Sequence, residues 1–391
     1  MAAQSPPPPT PVPPTGSPSP FPTALETPSP SVEPPELSAE AAALVDLDTG
    51  QVLFQQRGKE RRPIASTTKI MTALLVLEAV PADDVATITS NAASQGGATM
   101  DLRPGERITV KELLYGLMLT SANDAAVALA EHIAGTVEAF LERMNERVHQ
   151  LGLRASRFES PNGLDDRGYS TALDLAAITV EAYRNDTFDE VVATRFARIP
   201  APEGPARRLQ NRNALLWLYP DAIGVKTGFT SAAGFCLVGA AERDGLRLGA
   251  VVLGAPTEAF SDTAALLEHG FRTFERRTVV EEGQPFGEIR VQGRPVPVRA
   301  DVELELLLRR GQEVEERVVA EPGLSLPLAA GERVGVVSIR SGDERLASVP
   351  LVTARAVASH GEGLPAVRPW WERAWDAVTS FVGGLIRAIF G

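Results

Sequence analysis

Three short groups of residues carry the chemistry available to this chain: Ser66-Thr67-Thr68-Lys69, Ser121-Ala122-Asn123 and Lys226-Thr227-Gly228. A serine hydroxyl is a weak nucleophile until a base takes its proton. Residues three apart on a helix share a face, with Cβ atoms about 5–6 Å apart, which brings Lys69 within reach of Ser66. A lysine serves as the base when burial and nearby positive charge lower its pKa, and Lys226 can supply that charge. Lysine is otherwise scarce: Lys59, Lys69, Lys111 and Lys226 are the only four among 38 lysines and arginines. A guanidinium stays charged at physiological pH, whereas an ammonium in a desolvated site need not. Lysines kept in an arginine-rich chain therefore point to proton transfer.

Each group alone has an ordinary reading. Ser66 and Lys69 fit a solvated helix face, Ser121 fits a helix N-cap ahead of Asp124-Ala125-Ala126, and Lys226-Thr227-Gly228 fits a strand end and turn. The three together, in this order and separated by 55 and 105 residues, fit nucleophilic acyl transfer far better.

With these motifs the chain resembles the low-molecular-mass penicillin-binding proteins of the serine D-alanyl-D-alanine carboxypeptidase family. The likeness runs over about residues 38–354. It includes Leu44–Gly50, Arg62–Ala73, Glu112–Met118, Asn123-Asp124-Ala125, Asn211-Arg212-Asn213 and Gly224–Thr230. The resemblance implies that Ser66 attacks the carbonyl between two D-alanines, Lys69 takes its proton, and Ser121 relays a proton to the leaving amine. It further implies that Asn123 orients Lys69 and the substrate, and that Lys226 and Thr227 hold the terminal carboxylate. Gly228, lacking a side chain, lets the strand lie close to the bound peptide. The backbone N–H groups of Ser66 and Phe229 form the implied oxyanion hole. The chain departs from the family pattern in two places. Phe229 stands where many relatives have histidine, and Pro256–Ser261 lacks an arginine often found there, which leaves Arg212 as the second carboxylate contact. The implied partners are peptidoglycan stem peptides and β-lactam antibiotics.

Other readings of the same machinery are a β-lactamase, a D,D-endopeptidase or transpeptidase, and a catalytically silent wall-binding module. A β-lactamase needs a carboxylate-positioned water. Residues 155–175 offer Glu159, Asp165, Asp166 and Asp174 without a recognisable arrangement of that kind.

Composition narrows the field. A net charge of −12 with pI near 5.0 argues against nucleic acid as a main partner. The single cysteine, Cys236, excludes an intramolecular disulfide and reads as a small buried hydrophobe. The histidines His132, His149, His269 and His360 lack ligand spacing, so neither a metal site nor a cofactor is expected.

The elements that must position these groups follow from pattern. Residues 37–54 read as a hairpin around Asp48-Thr49-Gly50. Ser66 to about Val80 reads as a helix closed by Pro81, with three helices near 110–119, 122–134 and 136–151. A strand over Ile223–Thr227, a hairpin around Glu242–Gly245 and a helix near 259–275 complete an α+β unit. Distant segments should close one antiparallel sheet flanked by helices, and the resemblance implies that this unit is a penicillin-binding, β-lactamase-like transpeptidase domain with a helical subdomain. The domain boundaries expected are a proline-rich spacer at 1–37, the catalytic domain at 38–276, a small β-sandwich-like module at 277–354, a linker at 355–368 and an amphipathic helix at 369–391. The spacer holds 14 of the 31 prolines within residues 1–36 and is expected to be disordered. No basic-then-apolar export signal is visible ahead of it. In the last segment Trp371, Trp375, Val378, Val382, Leu385 and Ile389 recur at spacings of three and four. They predict a helix lying on a membrane surface, too short in its uncharged run to span one. The resemblance implies a location at the outer face of the cytoplasmic membrane.

Overall fold

Residues 33–257 and 259–359 are described by the computed structural model, and they fall into two units that divide between Glu275 and Arg276. The expected 1–37 spacer, for the most part, and the 369–391 helix lie outside the described residues.

In the first unit, β1 (Ala41–Asp46) and β2 (Val52–Gln56) form a hairpin. The Asp46 carboxylate fixes its turn by accepting the Thr49 N–H and hydroxyl, each at 2.7 Å. β3 (Ala222–Thr230), β4 (Gly234–Arg243) and β5 (Leu246–Ala255) follow one another in antiparallel hairpins. β1 then pairs with β5, Ala41 opposite Leu253 through Asp46 opposite Leu248, giving the sheet order β2-β1-β5-β4-β3. Every residue of β1 is buried, as a strand covered on both faces requires. Distant segments thus close one sheet, and β3, the strand bearing Lys226-Thr227-Gly228, forms its edge.

The longer helices are α1 (Lys69–Ala79), α2 (Val110–Tyr115), α3 (Asn123–Ala134), α4 (Val137–Gln150), α5 (Ala172–Ala182), α6 (Asp186–Ala193) and α7 (Phe260–Thr273). Their starts are capped by local chemistry. Thr109 and Glu112 form a reciprocal capping box on α2, and the Thr136, Thr171 and Asn185 side chains accept first-turn N–H groups of α4, α5 and α6. α1 runs through the core between α3 and α5, so its residues Lys69 to Leu74 are all buried. α7 comes so close to the sheet that a Cβ on Gly270 would sit 2.5 Å from Leu248.

The second unit is all β. Strands β6 (Pro285–Val291), β7 (Arg294–Ala300), β8 (Glu315–Ala320), β9 (Arg333–Ser341) and β10 (Glu344–Thr353) form one antiparallel sheet in the order β6-β7-β10-β9-β8. A second ladder joins Phe274–Val280 to Leu304–Arg309. The first of these strands departs from the sequence reading, which carries a helix to about 275 and starts the module at 277. Its ends, Phe274 and Val280, are buried, but Glu275-Arg276-Arg277-Thr278 between them hides any alternation. Among the described residues no helix is long and apolar enough to cross a membrane.

Candidate active site

Ser66 lies in a turn of 3₁₀-helix, Ala65–Thr68, that runs directly into α1. The sequence reading begins an α-helix at Ser66; the α-helical ladder begins at Lys69. The tighter turn still sets Lys69 one turn beyond Ser66, and its Nζ donates to Ser66 Oγ at 3.1 Å. The same Nζ donates to Asn123 Oδ1 at 3.0 Å and to the Asn162 backbone carbonyl at 2.7 Å. Ala65, just before the serine, has φ of +47° and Ser121 has φ of +64°, a left-handed conformation that costs non-glycine residues of order 1–2 kcal/mol. Ala65 adjoins Ser66, and Ser121 carries its own hydroxyl into the cleft. Gly163, at φ +80°, passes under the first of them: a Cβ there would sit 1.9 Å from the Ala65 carbonyl oxygen.

Ser121 follows a wide helical turn over Gly116–Thr120 and is not an N-cap; α3 starts without any side-chain cap. Asn123 instead ties three segments together. Its N–H donates to Ala98 O at 2.7 Å, its Nδ2 to Gly96 O at 2.8 Å, and its Oδ1 accepts from Lys69. The neighbouring Asp124 carboxylate accepts the N–H groups of Met100 and Leu102, each at 3.1 Å, and so fixes the 96–102 loop along the cleft. Sequence reasoning gave Asp124 no role, although its place beside Asn123 at the start of an apolar helix marks it as a buried acceptor.

On the facing wall, β3 crosses the Ser66 turn so closely that a Cβ on Gly228 would stand 3.0 Å from Ser66 N. Larger residues at 228 would push the edge strand away from Ser66. Lys226 is buried, and its Nζ donates to Thr227 O at 2.8 Å. Arg212 enters from the Asn211-Arg212-Asn213 turn, where its N–H donates to Leu119 O at 2.9 Å. Asn211 Nδ2 holds that turn against Thr194 O at 3.0 Å, and Asn211 Oδ1 accepts from Asn213 N at 2.9 Å. A cleft of about 460 Å³ results, lined by Ser66, Ser121, Asn123, Arg212, Thr227, Gly228 and Phe229 among others. Lys69 and Lys226 lie beneath its surface. The structure thus brings together all nine residues singled out above. Phe229 is more than half exposed, with Phe235 stacked beside it at 4.6 Å between ring centroids.

Electrostatics favours proton transfer. Burial, the Lys226 charge and the Arg212 charge, in that order, hold the Lys69 ammonium well below the usual lysine range, against a smaller opposing pull from Asp124. Burial, then Arg212, brings Lys226 down to about 7. A neutral amine hydrogen-bonded to a serine hydroxyl can take its proton, while a lysine and an arginine nearby can receive a carboxylate. None of Glu159, Asp165, Asp166 or Asp174 lines the cleft. Asp165 is paired with Arg167, Asp166 accepts from Thr230, and Asp174 accepts from Ser156. The carboxylate-positioned water that a β-lactamase needs has no base among them.

Known proteins share this arrangement. Residues 29–257 match the D-alanyl-D-alanine carboxypeptidase family (peptidase S11), and residues 274–359 match the C-terminal domain of penicillin-binding protein 5. The chain is 32% identical over 337 residues to D-alanyl-D-alanine carboxypeptidase DacF of Bacillus subtilis, covering 83% of this chain and 87% of that one. Penicillin binding protein 5 from Haemophilus influenzae superposes with a TM-score of 0.67 at 32% identity, over 84% of this chain and 100% of that one. The Streptomyces K15 DD-transpeptidase superposes with a TM-score of 0.58 at 35% identity, over 61% of this chain and 99% of that one. A helix-flanked antiparallel sheet with a serine and a buried lysine at one edge is the architecture of the penicillin-binding class, and the all-β unit that follows it is shared with penicillin-binding protein 5. Within that class, the chain belongs to the D-alanyl-D-alanine carboxypeptidase family, the serine hydrolases of peptidase S11.

Proposed function

We propose that the residues assembled here remove the terminal D-alanine from peptidoglycan stem peptides through an acyl-enzyme on Ser66. Neutral Lys69 takes the Ser66 proton as Oγ attacks the penultimate D-alanine carbonyl. The backbone N–H groups of Ser66 and Phe229 receive the oxyanion, and Ser121 passes a proton to the departing amine. Water then hydrolyses the ester. Asn123 orients Lys69 and the peptide backbone, and Gly228 admits the peptide alongside β3. Lys226 and Thr227, with Arg212, hold the terminal carboxylate. A β-lactam enters the same path and stays on Ser66, because its ring-opened leaving group remains attached. The observation that carries this reading is the wholly buried Lys69 set 3.1 Å from Ser66 Oγ beneath two further cations.

The carboxylate role of Lys226 has a pH signature. In the free enzyme Lys226 titrates at about 7. Its charged form, which attracts a carboxylate, therefore fades as pH rises through that value. For a peptide ending in a free carboxylate, kcat/KM should fall above about pH 7, because kcat/KM reports free-enzyme pKa values. A C-terminally amidated peptide should lack that fall. Lys226→Ala should cost the free-acid peptide roughly 10–100-fold in kcat/KM, as loss of a charge-assisted hydrogen bond does, and the amide much less. Equal losses on both peptides would place Lys226 in proton transfer instead.

The substrate places the enzyme outside the cytoplasm. The three-and-four spacing of Trp371, Trp375, Val378, Val382, Leu385 and Ile389 further supports attachment to the outer face of the cytoplasmic membrane through residues 369–391. With Arg373 and Arg387 its only basic residues, that segment should bind through its apolar face and resist moderate salt. The full chain should co-sediment with liposomes, and a chain ending at Leu364 should stay in the supernatant with its peptidase activity intact. Sedimentation of the shortened chain would rule the segment out as the anchor.

A further inference from the structure

The five-stranded sheet of the second unit ends in two unlike edges. β6 (Pro285–Val291) is guarded in the ordinary ways. It opens on a proline, which has no N–H to offer, and a bulge between Pro285 and Glu288 breaks its register against β7. β8 (Glu315–Ala320) carries neither device. It contains no proline and runs against β9 without a register shift, Glu315 opposite Arg340 through Ala320 opposite Gly335. All six of its residues are exposed, among them Val318 at 37% and Val319 at 47%. Adjacent strand residues point to opposite faces, so each face of this edge offers an apolar side chain to solvent. A straight edge of that kind is a template for another strand.

The ladder decides which backbone groups the edge presents. Glu321 donates its N–H to Val334 O at 3.0 Å, so Glu321, Val319, Arg317 and Glu315 turn their backbone polar groups toward β9. Glu316, Val318 and Ala320 alternate with them and turn theirs outward. An added antiparallel strand must bond to these three. A second copy of β8 can do so about a two-fold axis, and the side chains choose where that axis falls. Centred on Glu316 or on Arg317, the residue would meet its own copy, like charge against like charge. Centred on Val318, Glu315 would meet Glu321 of the second copy. Centred on Val319, the pairing becomes complementary. Arg317 then stands opposite Glu321 on both sides of the axis, Val319 opposite Val319, and Val318 opposite Ala320. Cross-strand pairs of opposite charge and of apolar side chains stabilise a sheet, and like charges destabilise it. The charges that repel other strands thus select a copy of the same one. Glu321 already holds Arg333 at 2.8 Å, and a carboxylate has acceptor sites for a second guanidinium.

We propose that two copies of this chain pair through β8, joining their five-stranded sheets edge to edge about a two-fold axis at Val319. The interface is isologous and closes at two copies, and the guarded β6 edge stops growth into a filament. One strand pair buries little surface, so the dimer is weak and its population rises with protein concentration.

The test is cross-linking of the full-length chain bearing Val319→Cys. At the axis the two copies meet in a non-hydrogen-bonded pair, where Cα atoms lie about 4.5 Å apart, inside the span of a disulfide. The natural thiol, Cys236, is buried and does not compete. Mild oxidation should link Val319→Cys into dimers at least about tenfold faster than Val302→Cys, because pairing raises the effective thiol concentration. Val302 is the control because it is 48% exposed in the same unit and lies outside β8. Adding Arg317→Glu, or Glu321→Arg, to Val319→Cys should slow linking by about fivefold or more, and adding both should restore it to within about twofold, since the double exchange rebuilds both charge pairs. A thermal melt like the parent's shows that each variant keeps its fold. Linking of Val319→Cys no faster than of Val302→Cys overturns the proposal. So do single exchanges that leave the rate unchanged, or a folded double exchange that fails to recover it.

Discussion

Lys69→Arg should abolish acylation of the enzyme by penicillin and by D-Ala-D-Ala peptides. Arginine keeps the positive charge and most of the volume but cannot give up its proton at physiological pH. Loss of a positioned base costs at least roughly 10²-fold in rate. The environment of Lys69 adds to the effect. The side chain is wholly buried, and Lys226 and Arg212 both oppose a charge there. A permanent cation at 69 therefore carries a desolvation penalty that the neutral amine avoids, so the variant should also melt at a lower temperature. Lys69→Met separates the two effects. It removes the base without burying a charge, and it should fold at least as well as Lys69→Arg while remaining unacylated. The measurement is the acylation rate with a fluorescent penicillin, read beside a thermal melt of each variant. A Lys69→Arg enzyme that acylates near the parent rate would mean that another group deprotonates Ser66. An acylating Lys69→Met enzyme would mean that no base at 69 is needed at all.

The parent enzyme should show the same chemistry in its pH profile. Because Lys69 is held well below the ordinary lysine range, its neutral form is present at a pH where free lysine is fully charged. Acylation should rise as pH rises through the depressed pKa, the reverse of the carboxylate-binding limb set by Lys226.

Much of this was legible in the sequence. The three motifs, their order and the elements beneath them could be read because helix and strand periodicity is local. So could the closing of one sheet from both ends of the unit. What could not be read is what depends on chain segments meeting. The Asn162 carbonyl that accepts from Lys69 at 2.7 Å has no sequence signature, since every residue carries one. Gly163 resembles any turn glycine until its contact with Ala65 O is seen. Ser121 looks like an N-cap on local grounds, whereas the structure holds it in a left-handed conformation ahead of an uncapped helix. The sequence singles out Arg212 within Asn211-Arg212-Asn213 but not what holds it there. Its entry into the cleft depends on two asparagine side chains that fold the 211–213 turn, and on a backbone bond to Leu119. Phe274–Val280 carries no local strand signature, because its polar interior lacks alternation and its partner, Leu304–Arg309, lies far along the chain.

The central claim is that Ser66 Oγ becomes the acyl carrier. Its Oγ lies 3.1 Å from Lys69 Nζ, and the edge strand bearing Gly228 passes close to its backbone N–H. The most direct measurement is mass spectrometry of the intact and proteolysed enzyme after exposure to penicillin. One adduct with the mass of the antibiotic is expected on the peptide containing Ser66, and none on Ser66→Ala under the same conditions. An adduct on a different peptide, an adduct that survives in Ser66→Ala, or no adduct on a folded parent enzyme would contradict the account.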